Sequence, residues 1–89
     1  VGKMGYRFKA DASIDLHGLR PDEALARVRR MVESGRYSDK SIEIIHGQGR
    51  GVLRERVREW GERSSKVKRM VCAEDIGFLG GGGVTIFFL

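Results

Sequence analysis

Apolar residues recur along this chain in two rhythms, one of period two and one near 3.6. Over residues 13–17, Ile14 and Leu16 point one way and Asp15 and His17 the other, which predicts a short strand ended by Gly18. Pro21 suits a first helical position, Asp22 and Glu23 complement the helix dipole, and the cap position falls on Arg20, which has no capping oxygen. Ala24, Leu25, Val28, Met31 and Val32 then make one apolar stripe, with Arg27, Arg29 and Arg30 away from it and Gly35 as the stop. Residues 41–46 carry Ile42, Ile44 and Ile45 almost continuously, as a covered strand does. A second helix begins near Val52 and buries Val52, Leu53, Val57 and Trp60, until Gly61 and the pair Ser64 and Ser65 break it. Residues 67–73 and 84–89 read as two further strands, and 74–83 between them as a long mobile loop. Residues 1–12 are a linker or edge strand, and 13–89 form the domain.

The expected class is α/β, an α+β sandwich of order β-α-β-α-β-β: a mixed four-stranded sheet with two helices on one face. Right-handed crossovers make the first three strands parallel, with the fourth returning antiparallel. Parallel strands share the edge at which they end. His17, His46, Glu74 and Asp75 therefore come to one rim, where the second helix also begins and where ligands of open α/β sheets bind.

Composition narrows the partner. With 89 residues and 40% hydrophobic content the chain makes one globular domain. No apolar run approaches the roughly 18 residues of a membrane helix, so no membrane partner is expected. The single cysteine, Cys72, excludes an internal disulfide and fits a reducing, cytoplasmic setting; its apolar neighbours place it in the core. The chain starts at Val1, as a piece of a longer protein would. Arg50, Arg54, Arg56, Arg58, Arg63, Lys66, Lys68 and Arg69, against Glu55, Glu59 and Glu62, account for the whole net charge of +5. Such an asymmetric patch points to nucleic acid.

The patch adjoins the richest stretch of the sequence: His46, Gly47, Gln48, Gly49, Arg50, Gly51, then the helix start and Arg54. Alternating glycines let a backbone approach a ligand closely, and the first turn of a helix offers unpaired N–H groups and partial positive charge. A phosphate is the natural guest. Gly47, Gln48, Gly49, Arg50, Gly51, Arg54 and Arg58 are the candidate nucleic-acid-binding residues.

Three motifs in order resemble the Smr (small MutS-related) domain: Ile14-Asp15-Leu16-His17-Gly18-Leu19, His46-Gly47-Gln48-Gly49 with Arg50-Gly51-Val52-Leu53-Arg54, and Gly82-Gly83-Val84-Thr85-Ile86. The direct join from the glycines to Val52 resembles the version at the C-terminus of bacterial second-type MutS proteins. The resemblance implies a two-layer sandwich akin to the C-terminal domain of translation initiation factor three, nucleic-acid binding, and endonuclease or nicking activity on DNA or RNA. It also implies fusion to a MutS-like ATPase in the parent chain. Gln48 stands where many members carry lysine, leaving Arg50 as the substitute phosphate cation.

Within that frame Asp15, His17 and His46 are the candidate catalytic residues. Histidine titrates near 6.5 and serves as acid or base around neutrality, and Asp15 either orients a histidine or holds a divalent ion. RNA brings its own 2′-hydroxyl nucleophile, whereas DNA cleavage calls for a water activated by Mg or Mn. The metal requirement stays open, with Glu74 and Asp75 as the further carboxylates within reach. The competing readings are a module that binds branched nucleic acid or ribosomal RNA without cutting it, and a binder of small phosphates or nucleotides.

Overall fold

The computed structural model describes residues 9–47, 49, 51–76 and 81–89. Its elements are β1 (Ala12–Asp15), α1 (Pro21–Glu33), β2 (Ser41–Ile45), α2 (Val52–Arg63), β3 (Arg69–Cys72) and β4 (Val84–Phe88). Two 3-10 turns, Ala73–Ile76 and Gly81–Gly83, stand between β3 and β4 in the stretch expected as a long mobile loop, of which 77–80 lie outside the described residues. The sheet order is β1-β2-β4-β3. β1 pairs parallel with β2, and β4 is antiparallel to both β2 and β3, so β1, β2 and β3 share one direction as the crossovers require.

Strand register sorts the side chains. Ile42 and Ile44 of β2 and Phe87 of β4 face the helices and are buried with Leu16, Val28, Val32 and Val57. Each large apolar side chain in that set contributes on the order of 1.5–3 kcal/mol. The opposite face holds a smaller cluster of Ala73, Val84 and Ile86, with Ile45, Val71 and Phe88 against it. Among the described residues no helix is long and apolar enough to cross a membrane.

α1 starts where the proline placed it. Arg20 caps it without a side-chain acceptor, and only half a capping box forms, the Arg20 N–H donating to Glu23 Oε1 at 3.2 Å. Ala24, Val28 and Val32 are buried as the stripe requires, and Gly35 turns the chain at φ 81°.

Three expectations need correction. Gly61 does not break α2; it lies inside it, buried, where a Cβ would come within 2.6 Å of two Phe87 ring carbons. Its lack of a side chain lets helix and sheet close together, and Trp60 meets the same ring at a centroid distance of 6.2 Å. Val52 is 48% exposed rather than part of the buried face, because it opens α2 at the rim. The first strand ends at Asp15, not at residue 17: the Asp15 carboxylate accepts the His17 N–H at 2.9 Å and turns the chain there, although the Leu16 N–H still pairs with Ile45 O.

Candidate functional site

Both helices begin at the edge where β1 and β2 end, which aims two helix N-termini at one rim. A pocket of about 180 Å³ lies there, lined by Pro21 of α1, His46, Gly47, Gly49, Gly51, and Val52, Leu53 and Arg54 of α2. Gly51 is the N-cap of α2, at φ 81°, and no side chain caps the helix. The Glu55 N–H is the first to reach back, to Gly51 O at 2.9 Å; the amides of Val52, Leu53 and Arg54 precede it and have no partner within the helix. The Arg54 guanidinium folds over this mouth, close enough that a Cβ on Gly51 would sit 2.7 Å from its Nη2.

The glycine turn is held from β4. Gly83 O accepts the N–H groups of both His46 and Gly47, each at 3.0 Å. His46 is 8% exposed, and its ring lies on the helix side of the sheet. Its Nδ1 bonds Gly47 O at 2.9 Å and its Nε2 meets Thr85 Oγ1 at 2.8 Å. A carbonyl only accepts, so Nδ1 carries the ring proton; in the neutral ring Nε2 then accepts from the Thr85 hydroxyl. Burial pushes the His46 pKa down, the Gly47 bond opposes this, and the charges of Arg58 and Arg54 push it further down.

Behind Thr85 stands Arg58, whose Nε donates to Thr85 Oγ1 at 2.8 Å. Its Nη1 and Nη2 form a two-pronged bond to Glu74 at 2.8 and 2.7 Å, and Nη2 also reaches Val84 O at 3.2 Å. That grip holds the Glu74 carboxyl down at about 2 and raises Arg58. Arg58 was expected on the nucleic-acid face; instead its side chain is 17% exposed and its donors turn inward. Glu74 is likewise occupied rather than open to an ion. Among the described residues no three His, Cys, Asp or Glu side chains gather closely enough to hold a metal. Cys72 is half-buried, and burial pushes its thiol up.

Asp15 and His17 are exposed at the same rim. Register pairs Asp15 with Ile45, so Asp15 lies on the side of the sheet opposite the His46 ring. The rim thus collects all three candidate catalytic residues, with Asp15 and His46 divided between its two faces. Gln48 and Arg50 lie outside the described residues, as do 1–8 and 77–80. Thr85 and Gly83 were not singled out as site residues from sequence. Both stand in the third of the motifs quoted from the sequence, but threonine is an ordinary strand residue, and its burial between a histidine and an arginine is what reveals the role.

Residues 14–89 match the Smr domain family. The chain is 37% identical over 83 residues to the Endonuclease MutS2 of Exiguobacterium sibiricum, covering 90% of this chain and 10% of that protein. It is 36% identical over 80 residues to the Endonuclease MutS2 of Levilactobacillus brevis, covering 84% and 9%. The chain therefore spans about a tenth of the length of these relatives. The crystal structure of the Smr domain of Thermus thermophilus MutS2 superposes with a TM-score of 0.74 at 34% identity, over 88% of this chain and 96% of that one.

Proposed function

The chain belongs to the Smr domain family, and from that premise we propose that it binds nucleic acid and cleaves phosphodiester bonds at the rim shared by β1, β2 and the two helix mouths. The observation that carries this reading is the pocket itself: an uncapped helix N-terminus, with Arg54 over it, beside the strand ends that bear Asp15, His17 and His46. A backbone phosphate seated there accepts from the Val52–Arg54 amides and is neutralised by Arg54, which stabilises charge building on its oxygens. Gly47, Gly49 and Gly51 let the strand approach, and Gln48 and Arg50 belong to the same loop.

His17, exposed at the end of β1, takes the proton that the attacking oxygen, a 2′-hydroxyl in RNA or a water in DNA, sheds as it bonds to phosphorus, while the bond from phosphorus to the leaving oxygen breaks and that oxygen takes a proton from solvent. Asp15 fixes the turn that presents it through the 2.9 Å bond to the His17 N–H. His46 acts as a fixed post, keeping the Gly47 carbonyl and the turn in place. Asp15 is also the rim carboxylate open to a divalent ion. With Glu74 bound to Arg58, the described side chains do not assemble a metal site. The longer relatives support fusion to a MutS-like ATPase, and the lone cysteine fits the reducing cytoplasm.

One observation favours a second reading, a module that grips branched nucleic acid or ribosomal RNA without cutting: both ring nitrogens of His46, expected as a catalytic residue, are bonded within the fold, which leaves His17 as the one candidate histidine to move a proton. The two are separated by incubating the domain with supercoiled plasmid and with structured RNA, with and without Mg or Mn, beside Asp15→Asn and His17→Ala. Cleavage that falls in both variants supports the nuclease. Tight binding with no cutting in any condition supports the module, and cutting unchanged by either substitution overturns the assigned site.

A further inference from the structure

Positive charge in this domain is distributed differently from its distribution in sequence. On the basic stretch that includes α2, four cations meet carboxylates: Arg56 meets Asp22, Arg58 meets Glu74, Arg63 meets Glu59 and Lys68 meets Asp39. The arginines around the C-terminal end of α1, whose charge is balanced by acids elsewhere in the sequence, have no carboxylate partner among the described residues. Three of them surround a second concavity of about 340 Å³: Arg27 and Arg30 from α1 and Arg36 from the turn that follows, with Tyr37 beside them and Met31 and Ile14 lining it. The Ser34 hydroxyl donates to Met31 O at 2.9 Å and accepts the Arg36 N–H at 3.2 Å, which fixes the turn that presents Arg36 and Tyr37. No acidic side chain lines the pocket.

Arginine in the last turn of a helix complements the dipole, and this accounts for Arg30. It does not account for Arg27 in the turn before or Arg36 beyond the helix end, set around Tyr37, Met31 and Ile14, which pack against the core and still line the pocket. Guanidinium groups around an apolar and aromatic lining are suited to a nucleotide: phosphates take the cations, and a base takes the ring. The place is also suitable. Pro21, the first residue of α1, lines the rim pocket, and the second pocket lies against the C-terminal half of the same helix, roughly 10–20 Å further along. Arg27 and Arg30, three apart, share one side of α1, and Arg20 caps its start at the rim.

We propose that the pocket of Arg27, Arg30, Arg36 and Tyr37 is a second nucleic-acid site that takes an unpaired nucleotide of the strand held at the rim. A paired base is stacked and closed to Tyr37, so the site selects single-stranded or frayed segments next to the rim. The proposal rests on the nucleic-acid reading above and adds to it a substrate class.

The test is fluorescence anisotropy with a fluorescein-labelled single-stranded oligonucleotide and its blunt duplex. The proteins are the wild-type domain, Arg27→Gln/Arg30→Gln, Tyr37→Leu, Tyr37→Phe and the rim variant Arg54→Gln, each checked for an unchanged circular dichroism spectrum. Loss of two phosphate contacts lowers the log–log salt slope on single strand by about 1.4. Tyr37→Leu weakens single-strand binding by about fivefold or more and leaves the duplex unchanged, whereas Tyr37→Phe keeps the wild-type affinity. If Arg54→Gln weakens binding and the double variant does not, the second site is overturned and the rim reading stands. Equal weakening of both oligonucleotides by Tyr37→Leu overturns selection of an unpaired base. Wild-type protein that binds neither overturns both readings. The double arginine variant alters only exposed side chains, so the site stays testable if Tyr37→Leu fails to fold.

Discussion

Thr85 Oγ1 lies 2.8 Å from His46 Nε2 and 2.8 Å from Arg58 Nε, and Thr85 is fully buried. One hydroxyl thus joins the histidine of the glycine turn to an arginine of α2, and through that arginine to Glu74 just after β3. Thr85→Val keeps the shape but removes both bonds, leaving Arg58 Nε without its acceptor and His46 Nε2 without its donor. The expected loss is about 1–3 kcal/mol by urea unfolding, while Thr85→Ser retains most of it. Nitrogen-15 NMR of the imidazole supplies a second readout. All three proteins keep the Nδ1–H form, which the Gly47 carbonyl fixes, and in Thr85→Val the Nε2 resonance moves to the position of an acceptor without its hydrogen bond.

Acid stability follows from the same groups. His46 has a lowered pKa in the fold, so as pH falls below 6.5 the unfolded chain takes up its proton first and stability begins to drop. The contribution is complete above 6.5 and is lost as pH falls through the lowered folded value. A second loss runs between 4.5 and about 2, where the unfolded chain protonates Glu74 before the folded one does. Asp11 and Asp39, whose pKa values are also lowered, share that limb. Urea midpoints measured from pH 8 to pH 3 are expected to fall in these two stages. Glu74→Gln should shrink the lower stage and leave the upper one in place; a single transition centred near 4, with nothing lost around 6, would contradict the His46 assignment.

The rhythm of apolar positions was enough to order the elements and bring the histidines to one rim, because period and chain direction are local properties. Pairings across the chain were not legible. Arg58 and Thr85 are 27 positions apart, and His46 and Thr85 are 39. Nothing near Arg58 in sequence says that Glu74 will take its charge. The basic stretch is thinned for the same reason: Asp22, Asp39 and Glu74 come from elsewhere to meet Arg56, Lys68 and Arg58, while Arg54 stays at the helix mouth and the arginines of α1 have no carboxylate partner among the described residues. Gly61 misled because glycine disfavours helices on average, whereas here the absent side chain is what the Phe87 ring occupies.

That packing makes Gly61→Ala a useful probe. Alanine would gain up to about 1 kcal/mol of helix propensity, yet its Cβ would stand 2.6 Å from the ring carbons of a fully buried Phe87 that also contacts Trp60. Neither ring can retreat without disturbing the core, so overpacking of about 1–3 kcal/mol outweighs the gain. Thermal unfolding should show a net decrease in stability, and Phe87→Leu in the Gly61→Ala background should restore part of it.

Gly51 separates backbone strain from ligand grip. At φ 81° it occupies the left-handed region, where alanine costs roughly 1–2 kcal/mol and asparagine less. Any Cβ there also meets Arg54 Nη2 at 2.7 Å, the movable end of a long side chain, so the guanidinium swings away at little cost to the fold. Gly51→Ala should therefore lose both stability and nucleic-acid affinity, whereas Gly51→Asn should keep more stability and lose comparable affinity. Arg54→Ala should match them in affinity and leave stability close to wild type. The salt slope of binding ties the three together, since one lost phosphate contact lowers it by about 0.7–0.9 in each. If Gly51→Asn bound as well as the wild type, the cation over the helix mouth would not be what holds the phosphate, and the grip would fall to the backbone amides alone.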